Sequence, residues 1–433
     1  MVADEHEHIH EHIHPDEPMI SLEEVQKLVL ERCGPLGVTA VAVRDALGCV
    51  LAEEVLVGSD IPPFANSAMD GYAVRGADTV GGSVELRVIG ILAAGSPPPD
   101  VPVGHGEALQ IMTGAVMPLG ADGIAIVERT EPVRDGFVRI LDEIDPATNV
   151  RPAGSDFRAG SVALPAGALI GPAQVGILSS VGVVDVPVWR RPRVGVMSTG
   201  DELVDGGVAL LPGQIRDSNR PTLLGLVMRD GHEAVDLGRV SDSADNVEAA
   251  LRVALASCDV VLSSGGVSKG EFDFVKVVLE QMASELGGEY FELAVAIRPA
   301  KPLALAWLPR SPGSDERVAF FGLPGNPVSS IVSYEVVAAP ALRYMAGVTS
   351  PLTRPVRAIA AEQLRASRDG RLNLLRVEAA FGPDGLLAVR STGGQQSHQL
   401  SAMASANALA MVPSGETVGV GEPVDLLIFG PLA

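Results

Sequence analysis

The spacing of apolar and polar residues changes character several times along the chain. From Ser21 to Val57 the pattern predicts helix, with Ser21 and Glu24 as a capping-box pair and a helix end near Gly34-Pro35. From 61 to about 150, short alternating runs such as SVELRVIGIL, ALQIM and GFVRIL lie between Gly, Pro and Asp turns. This second pattern predicts an all-β insertion.

A third pattern begins at Arg193, where apolar strands alternate with amphipathic helices. RVGVMS, EAVDLGRV, DVVLSS and VAFFGL are typical of buried strands, and PTLLGLVMRDG and SADNVEAALRVALAS are typical of helices. The alternation predicts a doubly wound, parallel sheet covered on both faces over about 193–346. Beyond Gly347 the runs RLNLLRVEAAF and LLAVR flank the turn GPDG as a hairpin, and VDLLIF predicts a further strand.

These changes of pattern predict an α/β multidomain protein without internal repeats. The expected parts are a disordered His-rich tail (1–19), a helical and β linker domain (20–60 plus 150–190), the β insertion (61–149), the α/β domain (191–346) and a C-terminal β domain (347–433).

The tail carries most of the histidines of the chain, and two interpretations remain open for it. Imidazoles at this density can chelate a divalent metal in a flexible segment. A disordered tail or a cloning remnant with incidental metal affinity is the alternative, and the lack of a core-forming pattern before Ser21 favours it. The residues concerned are His6, His8, His10, His12 and His14.

Composition excludes several classes of partner. The chain of 433 residues has 32 basic and 54 acidic side chains and a formal charge of −22, so neither nucleic acid nor an anionic membrane surface is an expected partner. No apolar run is long enough to span a bilayer and the N-terminus lacks signal-peptide features, which predicts a cytoplasmic protein. Cys33, Cys49 and Cys258 lie far apart and are expected to be buried rather than bridged or zinc-bound.

Candidate chemistry lies where the predicted parallel strands end. Ligands bind beyond the carboxyl ends of such strands, where loops converge and helix N-termini point outward. Taken singly, Gly265-Gly266 can be a strand-to-helix joint and Asn326-Pro327 a helix cap. Three small polar loops at one edge nevertheless predict a pocket, and they are Ser198-Thr199-Gly200-Asp201-Glu202, Ser263-Ser264-Gly265-Gly266 and Gly322-Leu323-Pro324-Gly325-Asn326-Pro327.

Charged residues near these loops indicate the kind of ligand. Basic residues in an acidic protein predict an anionic ligand where they gather, and carboxylates beside a phosphate predict Mg²⁺ or another divalent cation. A solvated surface acid or a helix cap is the alternative reading of any one carboxylate. The bases are Lys269, Lys276, Arg298 and Lys301, and the acids are Asp201, Glu202, Asp242 and Asp273.

Seven stretches in order, PPFANSAMDGYAVR, IMTGAVMPLGAD, MSTGDEL, GQIRDSNR, LSSGGVSKGEFDFVK, IRPAKPLALA and GLPGNPVSS, resemble the signatures of the MoeA family. This family comprises the molybdopterin molybdenumtransferases and includes the E domain of gephyrin. The resemblance covers about residues 20–430. It implies an elongated homodimer of four-domain subunits, with the linker as dimerisation domain and a molybdopterin-binding α/β domain. It further implies insertion of molybdate into adenylylated molybdopterin with a divalent cation present, and release of AMP and molybdenum cofactor.

The resemblance also implies roles for individual residues. Asp70 and Thr113 match active-site positions of the β insertion, which in the family leans over the α/β pocket of the other subunit. Asp273 is expected one or two turns into a helix, near metal and pterin. The implied catalytic residues are Asp70, Thr113, Glu202, Asp242 and Asp273, of which Glu202, Asp242 and Asp273 are the metal ligands. The implied substrate- and phosphate-binding residues are Ser67, Thr199, Gly200, Ser264, Gly265, Gly266, Lys269, Lys276, Arg298, Pro299, Lys301, Pro302, Pro324, Gly325 and Asn326.

Three positions depart from the family pattern, and two rival functions remain open. Lys269 stands where an apolar residue is common, Ala300 replaces the usual glycine of KPGKP, and GSDFRAG replaces GEDIRAG. Ala300 restricts its loop if a positive φ is required there. The rivals are a molybdopterin adenylyltransferase, which shares the three-loop α/β part, and a non-catalytic gephyrin-like scaffold. As partners we expect molybdate, adenylylated molybdopterin, an adenylyltransferase and apo-molybdoenzymes.

Overall fold

The structure, a computed structural model, describes residues 18–266 and 273–432. The His-rich tail and Lys269, both singled out from the sequence, lie outside the described residues. One compact unit comprises Ala40–Val188, and the remaining described residues form the other. The predicted division into four parts stays a prediction.

A six-stranded sheet forms the centre of the larger unit. Its strands are β1 (Arg193–Thr199), β2 (Glu233–Val240), β3 (Val260–Ser264), β4 (Glu289–Ala294), β5 (Pro302–Pro309) and β6 (Arg317–Leu323), in the order β2-β1-β3-β6-β5-β4. The first four strands of this order are parallel, as predicted. Two further strands make the whole sheet mixed, because β5 runs antiparallel to both β6 and β4. The connections 295–301 and 310–316 are too short for the crossover that a parallel pair needs.

Helices cover both faces of this sheet, as predicted. They are α1 (Leu22–Arg32), α2 (Asn219–Arg229), α3 (Ala244–Ser257), α4 (Phe274–Leu286), α5 (Pro327–Ser333) and α6 (Ala339–Met345), with a π-helical turn at Tyr334–Ala338. Apolar side chains of α1, α2, α5 and α6 pack in one core, and those of α3 and α4 pack in another. The capping box of α1 is confirmed by hydrogen bonds between Ser21 and Glu24. Helix does not continue to Val57, because the β-branched run Val38–Ala42 is a strand.

The C-terminal part of the larger unit is a small β-barrel. Its strands are Val356–Ala360, Leu372–Phe381, Leu387–Ser391, Ala408–Val412 and Pro423–Ile428, and the circle closes because Ala408–Val412 also pairs with Leu372–Phe381. The predicted hairpin across GPDG is confirmed. Ile297–Arg298 adds a short parallel strand to this barrel rather than to the α/β sheet.

The unit Ala40–Val188 is largely β. Its main sheet confirms the predicted β insertion and contains, in order, Gly123–Ile126, Gly71–Val74, Glu107–Ile111, Val84–Leu92, Phe137–Ile140 and Thr130–Arg134. Short pairs join Val55–Leu56 to Val162–Leu164 and Asn66–Ser67 to Val150–Arg151. A helix spans Pro172–Val181 and ends at Gly182 in the left-handed conformation, and the strand Asp185–Trp189 follows.

Two expectations about chemistry outside the site can be compared with the fold. All three cysteines are buried thiols, as predicted. In the described ranges, the helices lack the combination of length and apolar character that crossing a bilayer demands.

Candidate active site

Three loops meet at the carboxyl edge of the α/β sheet, as the sequence predicts. Ser198 is in register with Ser264, and Ser264 with Leu323, so β1, β3 and β6 end at the same level. The N–H of Gly265 donates to the carbonyl of Leu323 at 3.1 Å. A methyl group on Gly325 would lie 3.7 Å from the Cα of Gly265, so the second and third loops are in contact.

The glycine pair of the second loop is required by the backbone and by close packing. Gly265 and Gly266 have φ of 93° and 69°, a region that side chains other than glycine rarely adopt. A methyl group on Gly265 would lie 2.8 Å from the carbonyl oxygen of Thr199, and one on Gly266 would lie 2.6 Å from Val275 Cγ2. A tight turn therefore explains both glycines without a ligand. The argument for a ligand rests on the side chains around them.

Two buried polar atoms at this edge lack a hydrogen-bond partner among the described residues. They are the hydroxyl oxygen of Thr199 and the side-chain carbonyl oxygen Oδ1 of Asn219. Thr199 Oγ1 would lie 3.1 Å from a methyl group on either Gly265 or Gly266, so it borders the glycine turn. Buried polar groups are nearly always satisfied, and leaving one unpaired costs about 1–3 kcal/mol. The edge thus has hydrogen-bonding capacity that the described residues do not use.

Four carboxylates gather beside the first loop. The backbone N–H of Asp201 donates to Asp242 Oδ2 at 3.2 Å, and that of Asp242 donates to Asp201 Oδ1 at 3.1 Å. The Glu202 carboxylate lies over Gly200, where an added methyl group would meet it at 2.5 Å. Burial raises the pKa of Asp242, and the negative charges of Asp201, Glu202 and Asp273 raise it further. The field at this place is unfavourable for a further negative charge and favourable for a cation.

These residues fit a divalent cation in chemistry but do not form a closed site by themselves. Carboxylate oxygens are the hard ligands that Mg²⁺ prefers. In the part of the chain that the structure describes, no three His, Cys, Asp or Glu side chains lie close enough together to hold a metal. Mg²⁺ commonly uses one or two carboxylates and completes its shell with water and substrate phosphates. The Glu202, Asp242 and Asp273 set is compatible with that arrangement.

The structure corrects the placement of Asp273. The sequence predicts it one or two turns into a helix, whereas α4 begins at Phe274 and Asp273 occupies the N-cap position. Aspartate is a preferred N-cap residue, and the buried apolar face of α4 starts only at Val275. The carboxylate therefore stands before the helix, where its charge acts on Asp242.

Two predicted cationic contacts are made elsewhere. Lys276 Nζ forms an ion pair with Glu292 of β4 at 2.6 Å, and β4 is separated from β3 by two strands. Arg298 forms an ion pair with Asp369 at 2.7 Å on the barrel side. Each base is thus paired with an acid that is distant from it in sequence, and its role in binding the substrate stays a prediction. Lys301 directly precedes Pro302, the first residue of β5, and its carbonyl accepts from the N–H of Val295 at 2.7 Å.

A basic cavity in the C-terminal part was missed from the sequence. It has a volume of about 140 Å³, several times what one water requires. Arg376 lines it and is 1% exposed; Nε has no partner among the described residues, and one terminal nitrogen donates to the carbonyls of Gly394 and Gln396. Burial lowers the pKa of Arg376 to about 10, so it stays protonated at neutral pH. The other lining residues are Arg298, Pro299, Arg365, Ser367, Asn373, Leu374, Leu375, Gln395 and Gln396.

This cavity adjoins the third loop. The backbone N–H of Val328, in the first turn of α5, donates to the carbonyl of Ser397 at 3.1 Å, and Ser397 follows the lining residue Gln396. On another side, Pro299 lines the cavity, and Ala300 and Lys301 connect it to Pro302, the first residue of β5. The sequence does not show whether a position in the middle of a strand faces a cavity. The signal that could have found Arg376 is a charged residue between the apolar residues Leu375 and Val377 in the run LNLLRVEAA.

In the other unit, the structure brings Asp70 and Thr113 together. Both the N–H and the hydroxyl of Thr113 donate to Asp70 Oδ1 at 2.7 Å, and these hydrogen bonds lower the pKa of Asp70. Both residues are exposed. Ser67 requires a correction: it is fully buried and donates to the carbonyl of Met69 at 2.5 Å, so it supports the loop rather than offering a hydroxyl to phosphate.

Comparisons with known proteins agree with this architecture, a multidomain α/β protein with a β unit and a C-terminal barrel. Three family descriptions match in order: MoeA N-terminal region (domain I and II) over residues 20–182, probable molybdopterin binding domain over 195–344, and MoeA C-terminal region (domain IV) over 357–429. A molybdopterin molybdenumtransferase of Haemophilus influenzae is 35% identical over 95% of this chain and all of that protein. One from Nostoc is 34% identical over 94% of this chain and 92% of that protein.

Solved structures give the same result. A molybdopterin biosynthesis MoeA protein from Pyrococcus horikoshii is 29% identical, with a TM-score of 0.75 over 96% of this chain and all of that one. A second structure of such a protein from this organism gives 26% and 0.77, over 95% of this chain and all of that one. The chain therefore belongs to the MoeA family, a family of transferases.

Proposed function

We propose that this protein inserts molybdate into adenylylated molybdopterin and releases AMP and molybdenum cofactor. Family membership supports the reaction class. The observation that carries the proposal is that two features lie next to each other within one unit. One is the three-loop edge, where two buried oxygen atoms lack a partner among the described residues, and the other is a cavity lined by a buried arginine whose Nε lacks one. The first suits a nucleotide-linked ligand, and the second suits an oxyanion.

The three-loop edge is proposed as the site for the phosphates of the pterin ligand. Backbone amides at a glycine turn and at a helix N-terminus favour negative charge. The residues retained for this role are Thr199, Gly200, Ser264, Gly265, Gly266, Lys301, Pro302, Pro324, Gly325 and Asn326. Lys276 and Ser67 are left out of the proposed phosphate site, because each makes the contacts described above.

A divalent cation, Mg²⁺ in the first instance, is proposed to lie beside Glu202, Asp242 and Asp273. Bound there, it would offset the negative charge of the ligand's phosphates. The carboxylates would hold the cation, and the cation would in turn orient the phosphates. Without the cation, the carboxylates would repel the phosphates. The raised pKa of Asp242 supports this assignment, since it reflects burial together with the negative charges of Asp201, Glu202 and Asp273.

The arginine cavity is proposed as the position of the oxyanion substrate. A planar guanidinium matches the oxygens of a tetrahedral dianion, and Nε of Arg376 has no partner among the described residues. Arg376 supplies this group, while Arg298 is already partly neutralised by Asp369. Molybdate and tungstate are nearly equal in size and charge, so a preference between them is a matter for measurement.

Assembly and location extend the proposal. We propose a cytoplasmic homodimer in which Asp70 and Thr113 of one subunit complete the site of the other. The exposure of this hydrogen-bonded pair supports it. Mixing an Asp70→Ala chain with an Asp273→Ala chain should restore part of the activity, because one site of each heterodimer regains both acids. Verified subunit exchange with no recovery would contradict a shared site.

The decisive experiment is release of AMP from adenylylated molybdopterin by the purified protein. We expect release to require both molybdate and Mg²⁺, and the product to reconstitute an apo-molybdoenzyme. Consumption of ATP with free molybdopterin, without molybdate-dependent AMP release, would indicate an adenylyltransferase instead. Matches to both flanking family regions already disfavour that rival. Binding without any turnover would indicate the scaffold.

A further inference from the structure

Asn219 joins two of the three loops at the edge of the sheet. It is the first residue of α2, and its amide nitrogen Nδ2 lies 2.6 Å from the Ser264 hydroxyl oxygen and 2.6 Å from the Gly325 carbonyl oxygen. One side-chain amide thus donates to the end of β3 and to the loop after β6. We call these two hydrogen bonds the clamp. The clamp lies beside the contact between Gly265 and Gly325.

The residues around Asn219 hold it firmly in place. Asp217 accepts from the Ser198 hydroxyl at 2.6 Å and from the backbone N–H and Nε of Arg220 at 3.1 Å each. Arg220 also binds Asp236 of β2 at 2.6 Å and pairs with Asp205. The side chain of Asp217 is 1% exposed. Asn219 therefore sits between two residues that tie the start of α2 to β1 and β2.

The hydrogen-bonding capacity of the Asn219 side chain is only partly used by the residues that the structure describes. Both N–H bonds of its amide are engaged, whereas Oδ1 is buried and has no partner among the described residues. A side chain that served only to pack the fold would be expected to have its buried acceptor satisfied. Its orientation is set instead by the two loops that the amide holds.

We propose that Asn219 is a positioning residue of the reaction, which sets the spacing of the Ser264 and Gly325 loops and thereby the affinity of the edge for the adenylyl phosphate. This inference rests on the proposed function. Backbone amides bind phosphate well only at hydrogen-bonding distance. A displacement of about 1 Å at such a site can reduce activity by about a hundredfold. Loss of the clamp should therefore weaken ligand binding more than it weakens the fold.

The test is the dissociation constant of AMP, measured by calorimetry with Mg²⁺ present, for wild type, Asn219→Ala and Asn219→Asp. Loss of two ordinary hydrogen bonds should weaken AMP binding about tenfold in Asn219→Ala. Asn219→Asp keeps the shape of the side chain but cannot donate to Gly325 and adds a negative charge, so it should weaken binding further. In turnover, KM for the adenylylated pterin should rise more than kcat falls.

Asn407 provides a matched control in the barrel, because its amide also donates to two carbonyls, those of Ala379 and Pro431. Asn407→Ala should lower the unfolding temperature and leave AMP affinity unchanged. Wild-type AMP affinity and KM in Asn219→Ala would overturn the inference; if that variant unfolds, the same result in Asn219→Asp would overturn it. Failure of the wild type itself to bind AMP would contradict the proposed function rather than the role of Asn219.

Discussion

Two regions of one unit, the acidic cluster beside β1 and the arginine cavity of the barrel, carry charge of opposite sign. At the first, burial raises the pKa of Asp242, and the negative charges of Asp201, Glu202 and Asp273 raise it further. At the second, Arg376 is buried without a carboxylate, and burial lowers its pKa. Charge of one sign therefore predominates in each region.

Elsewhere in the same unit, a buried charge is paired with charges of the opposite sign. Asp259 is almost fully buried, and it is paired with Arg190 at 2.7 Å and with Arg310 at 2.9 Å. Burying an unpaired charge is costly, so folded proteins normally supply a partner as here. We therefore expect the acidic cluster to favour a cation and the arginine cavity to favour an anion. The proposed molybdate insertion involves both.

The largest effect is expected at the acidic cluster. Asp273→Asn keeps the size of the side chain and removes one charge that would hold the cation. Binding of adenylylated molybdopterin should persist or tighten, because a like charge is gone, while molybdate-dependent AMP release falls by about a hundredfold or more. Equilibrium binding and single-turnover AMP release on one preparation would measure both.

Asp245, in the first turn of α3, is the control for this prediction. Asp245→Asn changes the charge by the same amount at a helix start outside the cluster, and AMP release should change less than twofold. Weaker binding in Asp273→Asn with unchanged turnover of bound ligand would make Asp273 a recognition residue and remove the proposed metal role.

The next effect tests the opposite region. Arg376→Met fills similar space without the charge, so KM for molybdate should rise about tenfold to a hundredfold, the range of one or two charge-assisted hydrogen bonds. The unfolding temperature should stay level or rise, because the buried charge is removed. Arg357→Met on the outer face of the barrel, where Arg357 pairs with Asp425 at 3.0 Å, should leave KM unchanged. An unaltered KM in Arg376→Met would exclude the cavity as the oxyanion site.

The two regions differ in how far the sequence predicts them. The acidic cluster follows strand ends, and parallel strands bring their ends to one edge, so short polar loops after β1, β3 and β6 are sufficient to predict the edge. Arg376 lies in the middle of a barrel strand, where only the closure of the barrel decides whether it faces a cavity. That information is in long-range pairing, such as that of Leu375 with Ala410.

Long-range pairing also decides where two of the predicted cationic residues form ion pairs. Lys276 and Arg298 lie close along the chain to residues of the edge, whereas each pairs with an acid that folding brings near, Glu292 or Asp369. The antiparallel strands β4 and β5 could have been predicted from their short connections. The start of α4 after Asp273 could also have been predicted, since aspartate favours the N-cap position.

A smaller effect is expected in the segment between the arginine cavity and β5. Ala300, between the cavity residue Pro299 and β5, has φ of 85° and is 5% exposed. A left-handed conformation costs an alanine about 1 kcal/mol relative to glycine, so Ala300→Gly should raise the free energy of unfolding by about that amount. Ala304→Gly, in the buried strand β5, should instead lower it. Denaturant unfolding of both variants would check the signs, and a loss of stability in Ala300→Gly would contradict the strain.

The smallest effect concerns the balance of charge around Asp242. Because its pKa is raised in the folded protein, ionisation disfavours folding, and stability is lost as pH rises through that pKa. Asp242→Asn keeps an acceptor for the N–H of Asp201 and removes the charge. In metal-free buffer at neutral pH it should therefore be more stable by about 0.5 kcal/mol, the scale of a partly exposed charge interaction, and the difference should vanish below about pH 4, where the aspartate is protonated. Added Mg²⁺ should reverse the order, because only the wild type retains the full set of carboxylates. A wild type that is the more stable protein without metal, or equal responses of both proteins to Mg²⁺, would show that the cluster is not poised for a cation.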